Sequence, residues 1–309
     1  MTYGDETIDV LIIGAGMAGL AAAYHAAARG ASVLSIESSL PGGQIASVGR
    51  IDDFPLPVEL SGAALADAYL RRASDLGAVF VTTTVDAVTV ENDHVEVATG
   101  TETFRTRRVV FASGSRRRRL EVPGEADLTG LGVSDCAWCD GSLYRGASVA
   151  VIGGGDAAVQ AALHLAGLNA HVTLIVRGSE LRARRRYAFL ALDNARIDFI
   201  WETSVERFEG ADTLERLRLR DRVDESVREL PFDGAFVYIG TSPATDYVPD
   251  TIARDPAGRI IAAGQGRTSV QTVFCAGSLR DGCGAGVTAA LADGELVATA
   301  VVDDLCGMD

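Results

Sequence analysis

The chain lacks any apolar run long enough to cross a bilayer. Its longest apolar stretches are broken by glycine or charge well before the ~20 residues that a spanning helix needs. No secretory leader is expected either: Met1 to Asp9 is polar and acidic, without a basic start or an apolar core. A cytoplasmic protein with no membrane contact is the expectation. Positive charge is short as well. Lys and Arg number 28 against 42 Asp and Glu, a net charge of −14, so nucleic acid and anionic lipid are not expected partners. Histidine is scarce, and His25, His94, His164 and His171 are scattered. The one Cys-x-x-Cys therefore has no second Cys/His pair at ligand spacing, and no metal is expected. In a reducing compartment the five cysteines are not expected to be structural staples.

What is present is a globular composition, 48% apolar and 23% charged, over 309 residues. That length exceeds what one core usually organises, and predicts two domains. Asp9 to Ile13 reads as a buried parallel strand. It leads into Gly14-Ala15-Gly16-Met17-Ala18-Gly19, an alanine-rich helix to about Arg29, and a strand Val33 to Ile36 with Glu37 at its carboxyl end. This is a βαβ unit with a GxGxxG turn and a ribose-binding acid about 20 residues beyond it. Gly14, Gly16 and Gly19 allow the tight turn and bring a pyrophosphate to the helix N-terminus. Residues 62–77 read as a helix and 79–106 as strands. A strand over Arg108 to Gly114 ends in small residues, and Arg116 to Arg119 reads as a solvated domain crossing.

A second βαβ unit begins at Ser148 to Ile152, with Gly153-Gly154-Gly155-Asp156-Ala157-Ala158 as its loop. Ala158 replaces the third glycine, which the motif tolerates because only close packing is needed there. Laid over the first unit, Glu37 corresponds to Val176. The acid is absent and Arg177 stands beside the gap, with Arg182, Arg184 and Arg185 following. That exchange favours a phosphorylated ribose, hence NADPH over NADH. Between the two units lies Cys136-Ala137-Trp138-Cys139-Asp140, two thiols one helical turn apart with a carboxylate next to them. A dithiol between two nucleotide sites reads as a redox relay. Trp138 reads as a partly buried wedge or a stacking surface, Cys275 as core, Cys283 as a small core residue or an extra thiol, and Cys306 as a bystander. Val287 to Leu305 reads as an amphipathic helix.

The order of these motifs resembles the low-molecular-weight thioredoxin reductase family over nearly the whole chain. The matching stretches are Gly14 to Gly19, Gly42-Gly43-Gln44, Ala112-Ser113-Gly114, Cys136 to Gly141, Gly153 to Ala158, Gly240 to Pro243 and Ala276-Gly277. The resemblance implies an α/β fold of two Rossmann-like three-layer nucleotide-binding domains, the second inserted into the first. Residues 1–115 and 245–309 would form an FAD domain, and residues 116–244 an NAD(P)H-binding and dithiol domain. It implies a homodimer and a domain rotation. Gly14, Gly16 and Gly19 would hold the FAD pyrophosphate and Glu37 its ribose, with Gln44 and Asp53 along the flavin. Gly153, Gly155, Ala158, Arg177 and Arg182 would hold NADPH. Cys139 would face the flavin, Cys136 would attack the partner disulfide, and Asp140 would manage protons.

Four positions depart from the family pattern. Gly277-Ser278 stands where an aspartate usually follows the glycine, and Gly284-Ala285 replaces an Arg-Gln pair. A three-residue nucleotide signature survives as Val176-Arg177-Gly178, and Trp138 sits between the cysteines. The expected function is electron transfer from NADPH through FAD and the dithiol to thioredoxin or a thioredoxin-like protein. The alternatives are the same relay fed by ferredoxin or a second flavin, a dithiol oxidase, and a non-enzymatic redox sensor.

Overall fold

The computed structural model describes residues 7–49, 51 and 60–307; Asp53 lies outside them. In chain order the first stretch contains β1 (Ile8–Ile13), α1 (Met17–Ala28), β2 (Val33–Glu37), α2 (Gly62–Asp75), β3 (Val79–Thr82), β4 (Val85–Val90), β5 (Val95–Thr99), β6 (Thr103–Phe111) and β7 (Ser115–Arg117). Next come β8 (Val133–Ser134), α3 (Ala137–Asp140), β9 (Ser148–Ile152), α4 (Asp156–Gly167), β10 (His171–Ile175), α5 (Arg185–Leu192) and β11 (Ile197–Ile200). They are followed by β12 (Thr203–Glu209), β13 (Arg216–Asp221), β14 (Val227–Pro231) and β15 (Gly234–Val237). The chain ends with β16 (Thr241–Pro243), β17 (Val273–Cys275) and α6 (Val287–Cys306). Two compact units result, Met1–Arg116 with Ser242–Asp309, and Arg117–Thr241.

In the first unit a parallel sheet runs β3-β2-β1-β6. The far side of β6 is shared. β5 pairs antiparallel with its amino half (Val95↔Thr106) and β17 parallel with its carboxyl half (Cys275↔Phe111). Period-2 alternation sends Val10 and Ile12 toward α1 and α6, and Leu11 and Ile13 toward Val97, Phe104, Val248 and Ile252. Burial on both faces explains why β1 reads as one apolar run. Helix α6 lies close on α1 because of Gly294: a Cβ there would stand 2.2 Å from the Ala18 carbonyl oxygen. The buried Arg108 of β6 is neutralised by Asp304 of α6 at 2.6 Å, and Arg267 joins the same carboxylate at 3.0 Å.

The second unit is three layers. Its parallel sheet runs β11-β10-β9-β15-β8. Val149, Val151, Val172, Leu174 and Phe236 face the helices α4 and α5. On the other face Ala150, Ile152, Ile175 and Val237 meet Val205, Phe208, Leu217 and Leu219 of the antiparallel β12-β13-β14 layer. The chain is therefore two Rossmann-like units, the second inserted into the first. The helix expected over 62–77 stops at Asp75, and Gly77 makes the reversal at φ +93°. The strand expected from Arg108 starts earlier, at Thr103, because β5 pairs there. It ends at Phe111, so Ala112 to Gly114 form a loop. No helix among the described residues is long and apolar enough to cross a membrane.

Candidate active site

Cys136 and Cys139 are joined by a disulfide, with their Cα atoms 5.3 Å apart. Strand β8 delivers them: it is an edge strand held by β15 through Val133↔Ala235 and Ser134↔Phe236. Helix α3 is a single turn starting at Cys136. The Cys136 carbonyl accepts the N–H groups of Cys139 (3.2 Å) and Asp140 (3.1 Å), and Cys136 Sγ also receives the Cys139 N–H at 3.2 Å. So short a helix cannot hold itself, and three side chains hold it. Ser134 Oγ accepts the Cys136 N–H at 3.0 Å and donates to Asp140 Oδ2 at 2.7 Å. The Tyr238 hydroxyl accepts the buried Ala137 N–H at 2.8 Å. Trp138 stacks on His164 of α4, centroids 5.1 Å apart and planes 14° apart.

Burial pushes the Tyr238 phenol up and the His164 imidazole down from their ordinary values. The Arg117 guanidinium lies 5.1 Å over the Tyr238 ring and donates to the Asp135 carbonyl. Arg116 pairs with Asp246. The expectation of a solvated arginine run therefore fails at Arg117, whose side chain is 23% exposed, and holds at Arg116, which is 65% exposed. Cys139 is exposed and Cys136 half-buried.

At the first glycine loop the three glycines do three jobs. A Cβ on Gly14, at φ +106°, would stand 2.5 Å from the Ala112 carbonyl oxygen, and one on Gly19 1.9 Å from that of Gly14. Gly16 faces open space and starts α1 with no side-chain cap, leaving its first N–H groups for an anion. Glu37 is partly committed, since Oε2 takes the Ala15 N–H at 2.8 Å and Oε1 the Ser39 N–H at 3.1 Å. The Gly42-Gly43 turn lies on this loop, with a Cβ on Gly43 falling 3.2 Å from the Gly16 Cα. Gln44 donates to the Ser115 carbonyl at 2.6 Å, and Ser115 Oγ meets Ser278 Oγ at 3.0 Å. The Gly277 N–H is held by the buried Asp293 at 2.7 Å, itself paired with Arg280. Sequence reasoning did not single out Ser115, Asp293 or Arg280. The only signal for Ser115 was its place directly after the Ala112-Ser113-Gly114 stretch.

At the second loop a Cβ on Gly153 would stand 2.2 Å from the Tyr238 carbonyl oxygen, and one on Gly154 3.0 Å from Val176. Gly155 faces open space at the uncapped start of α4, and Ala158 is fully buried against Gly153. Val176 is buried where an acid would sit, while Arg177 and Arg182 are exposed. The Arg182 N–H binds the Gly154 carbonyl at 2.7 Å, folding its segment onto the loop. Arg184 is taken by Asp156 at 3.0 Å. Arg222 of the outer hairpin, also missed, donates to the Arg177 carbonyl at 3.0 Å. Tyr238 follows β15 directly. It touches Gly153 through its carbonyl and the dithiol turn through its hydroxyl. Among the described residues no group of His, Cys, Asp or Glu is arranged to hold a metal ion.

Residues 8–294 match the pyridine nucleotide-disulphide oxidoreductase family. The chain belongs to that family. It is 36% identical over 293 residues to the thioredoxin reductase of Treponema pallidum, covering 94% of this chain and 95% of that protein. It is 32% identical to the Bacillus subtilis thioredoxin reductase, covering 96% and 94%. The crystal structure of Lactococcus lactis thioredoxin reductase superposes with a TM-score of 0.93 at 31% identity, over 97% of this chain and 100% of the other. The chain is thus a flavin-dependent oxidoreductase of thioredoxin reductase-like sequence and fold, and family membership implies a pyridine nucleotide as well. The Cys136–Cys139 pair fits a redox-active dithiol.

Proposed function

We propose that the chain is a cytoplasmic, homodimeric reductase that passes electrons from NADPH, through FAD and the Cys136–Cys139 pair, to thioredoxin or a thioredoxin-like protein. The observation that carries this reading is the disulfide, exposed at Cys139 and built into a turn whose N–H groups point at Cys136. FAD fits the first unit because Gly16 leaves open space at an uncapped helix start and Gly14 and Gly19 permit the close turn. Glu37 is tied to this loop through the Ala15 N–H, and Gln44 is linked through Ser115 to Ser278, next to Gly277. NADPH is assigned to residues 116–244, at Gly153, Gly155 and Ala158. The chain contains no lysine, so phosphate recognition falls to arginine, and Arg177 and Arg182 are the exposed cations beside that loop.

Bound FAD supplies the two-electron link between a hydride donor and the disulfide. The chain's own residues do the exchange chemistry. The Cys139 N–H lies 3.2 Å from Cys136 Sγ, and the thiolate form of Cys136 is the nucleophile. Cys136 Sγ attacks one sulfur of the partner's disulfide; a mixed disulfide forms and the other partner sulfur leaves as a thiolate. Asp140 takes the Cys139 thiol proton and passes it to that leaving group. The Cys139 thiolate then attacks Cys136 Sγ, breaking the mixed disulfide and restoring the internal one; the partner sulfur it displaces leaves as a thiolate and takes a proton from water, so the partner departs carrying the two electrons. In the test, Cys139→Ser abolishes thioredoxin turnover while NADPH still bleaches the flavin; retained turnover sinks the relay. A second reading, a donor such as ferredoxin or a second flavin, or an oxidase, is favoured by the Val176-Arg177-Gly178 departure. It predicts no anaerobic bleaching by NADPH.

A further inference from the structure

We propose that Ser134 is the positioning residue for proton traffic at the dithiol. Its hydroxyl ties one oxygen of the Asp140 carboxylate to the start of the Cys136–Cys139 turn and leaves the other for the thiols. The proposal rests on the reading of Asp140 as the acid/base group.

The backbone of Ser134 is fixed by the sheet, through its pairing with Phe236 of β15. A hydroxyl carries one proton and two lone pairs. At Ser134 a lone pair accepts the Cys136 N–H at 3.0 Å, and the proton goes to Asp140 Oδ2 at 2.7 Å. The chain of bonds has one direction, from the peptide N–H of the attacking cysteine to the carboxylate. Asp140 Oδ1 takes no hydrogen bond from the described residues. The Asp140 N–H is held by the Cys136 carbonyl at 3.1 Å, so the carboxylate belongs to the turn that carries both sulfurs. A donor on a carboxylate favours its ionised form. Ser134 therefore fixes the Asp140 carboxylate at the start of the turn that carries the thiols.

The other charged or titratable groups on elements packed here are Asp135, Arg117, Tyr144, Tyr238 and His164. Tyr144 and Tyr238 are pushed up by burial and stay neutral, and His164 is pushed down. None of these four has the place of Ser134 between Cys136 and Asp140, and Asp135 is turned toward Arg117 at 4.0 Å.

The test uses flavin-loaded protein, reduced and anaerobic, across pH 5 to 9. Two readouts are taken: single-turnover reduction of thioredoxin, and alkylation of Cys136 by iodoacetamide, which needs no turnover. Asp140→Asn identifies the limb of the profile that belongs to the carboxylate. Ser134→Ala is expected to move that limb upward, because the carboxylate loses a hydrogen-bond donor. Ser134→Thr, which keeps the hydroxyl, is expected to restore it and serves if the alanine variant folds poorly. An unmoved limb in Ser134→Ala, or a uniform loss of rate at every pH, overturns the role of Ser134 while leaving Asp140 in place. A limb that survives Asp140→Asn overturns the acid/base reading itself.

Discussion

Replacing Tyr238 with phenylalanine isolates one buried hydrogen bond. The phenyl ring keeps its packing and its place under Arg117, and the backbone carbonyl still faces Gly153. Only the oxygen that accepts the Ala137 N–H at 2.8 Å is lost. Ala137 is 0% exposed, so water cannot reach its N–H without opening the turn. A buried donor left unpaired costs about 1–3 kcal/mol. For a unit the size of Arg117–Thr241, each kcal/mol lowers the melting midpoint by roughly 4 °C. The expected drop is therefore about 4–12 °C in the transition of the inserted unit, read by calorimetry on the oxidised protein, with loss of hydrogen-exchange protection at Ala137. Tyr144→Phe is the control. Its ring packs edge-on to Phe236 at 5.4 Å, but its hydroxyl bonds to nothing among the described residues. If the two variants melt together, the bond to Ala137 is not what fastens the dithiol turn.

The remaining thiols give a chemical check. Burial pushes Cys275 up to about 12 and Cys283 up to about 11, so at pH 8 the thiolate fraction of Cys283 is about 10⁻³. With the disulfide intact, iodoacetamide should label exposed Cys306 and spare both; an adduct on Cys283 at a comparable rate contradicts the burial argument. His164 gives a pH check. Pushed down by burial, it stays neutral in the folded chain where an unfolded histidine, at about 6.5, takes a proton. Its contribution to stability is therefore complete above that value and falls as pH drops toward the folded one. His164→Gln should lose less stability than the parent between pH 7 and 5.5, measured by urea midpoint, and equal losses refute it.

What the sequence made legible was whatever is encoded locally. Gly14, Gly16 and Gly19 announced a turn because the restraints on them come from residues close by or from a single crossing strand, and apolar runs announced strands because a parallel sheet buries both faces. The Cys136 to Asp140 block was legible for the same reason, one helical turn holding all its chemistry. What fastens that turn was not. Tyr238 stands 101 residues from Ala137, and only the strand order, with β15 between β9 and β8, brings them together. Gln44 was found through its motif, but its partner Ser115 lies 71 residues on and carries no pattern of its own. The arginine run is the clearest case. Four adjacent cations suggest a solvated crossing, and no local rule says that the second of them will lie over a tyrosine beside the dithiol. A relay must reposition its sulfurs without losing them, so its fastenings come from the sheet beneath rather than from the turn itself. Such fastenings are recorded in topology, which spacing alone does not reveal.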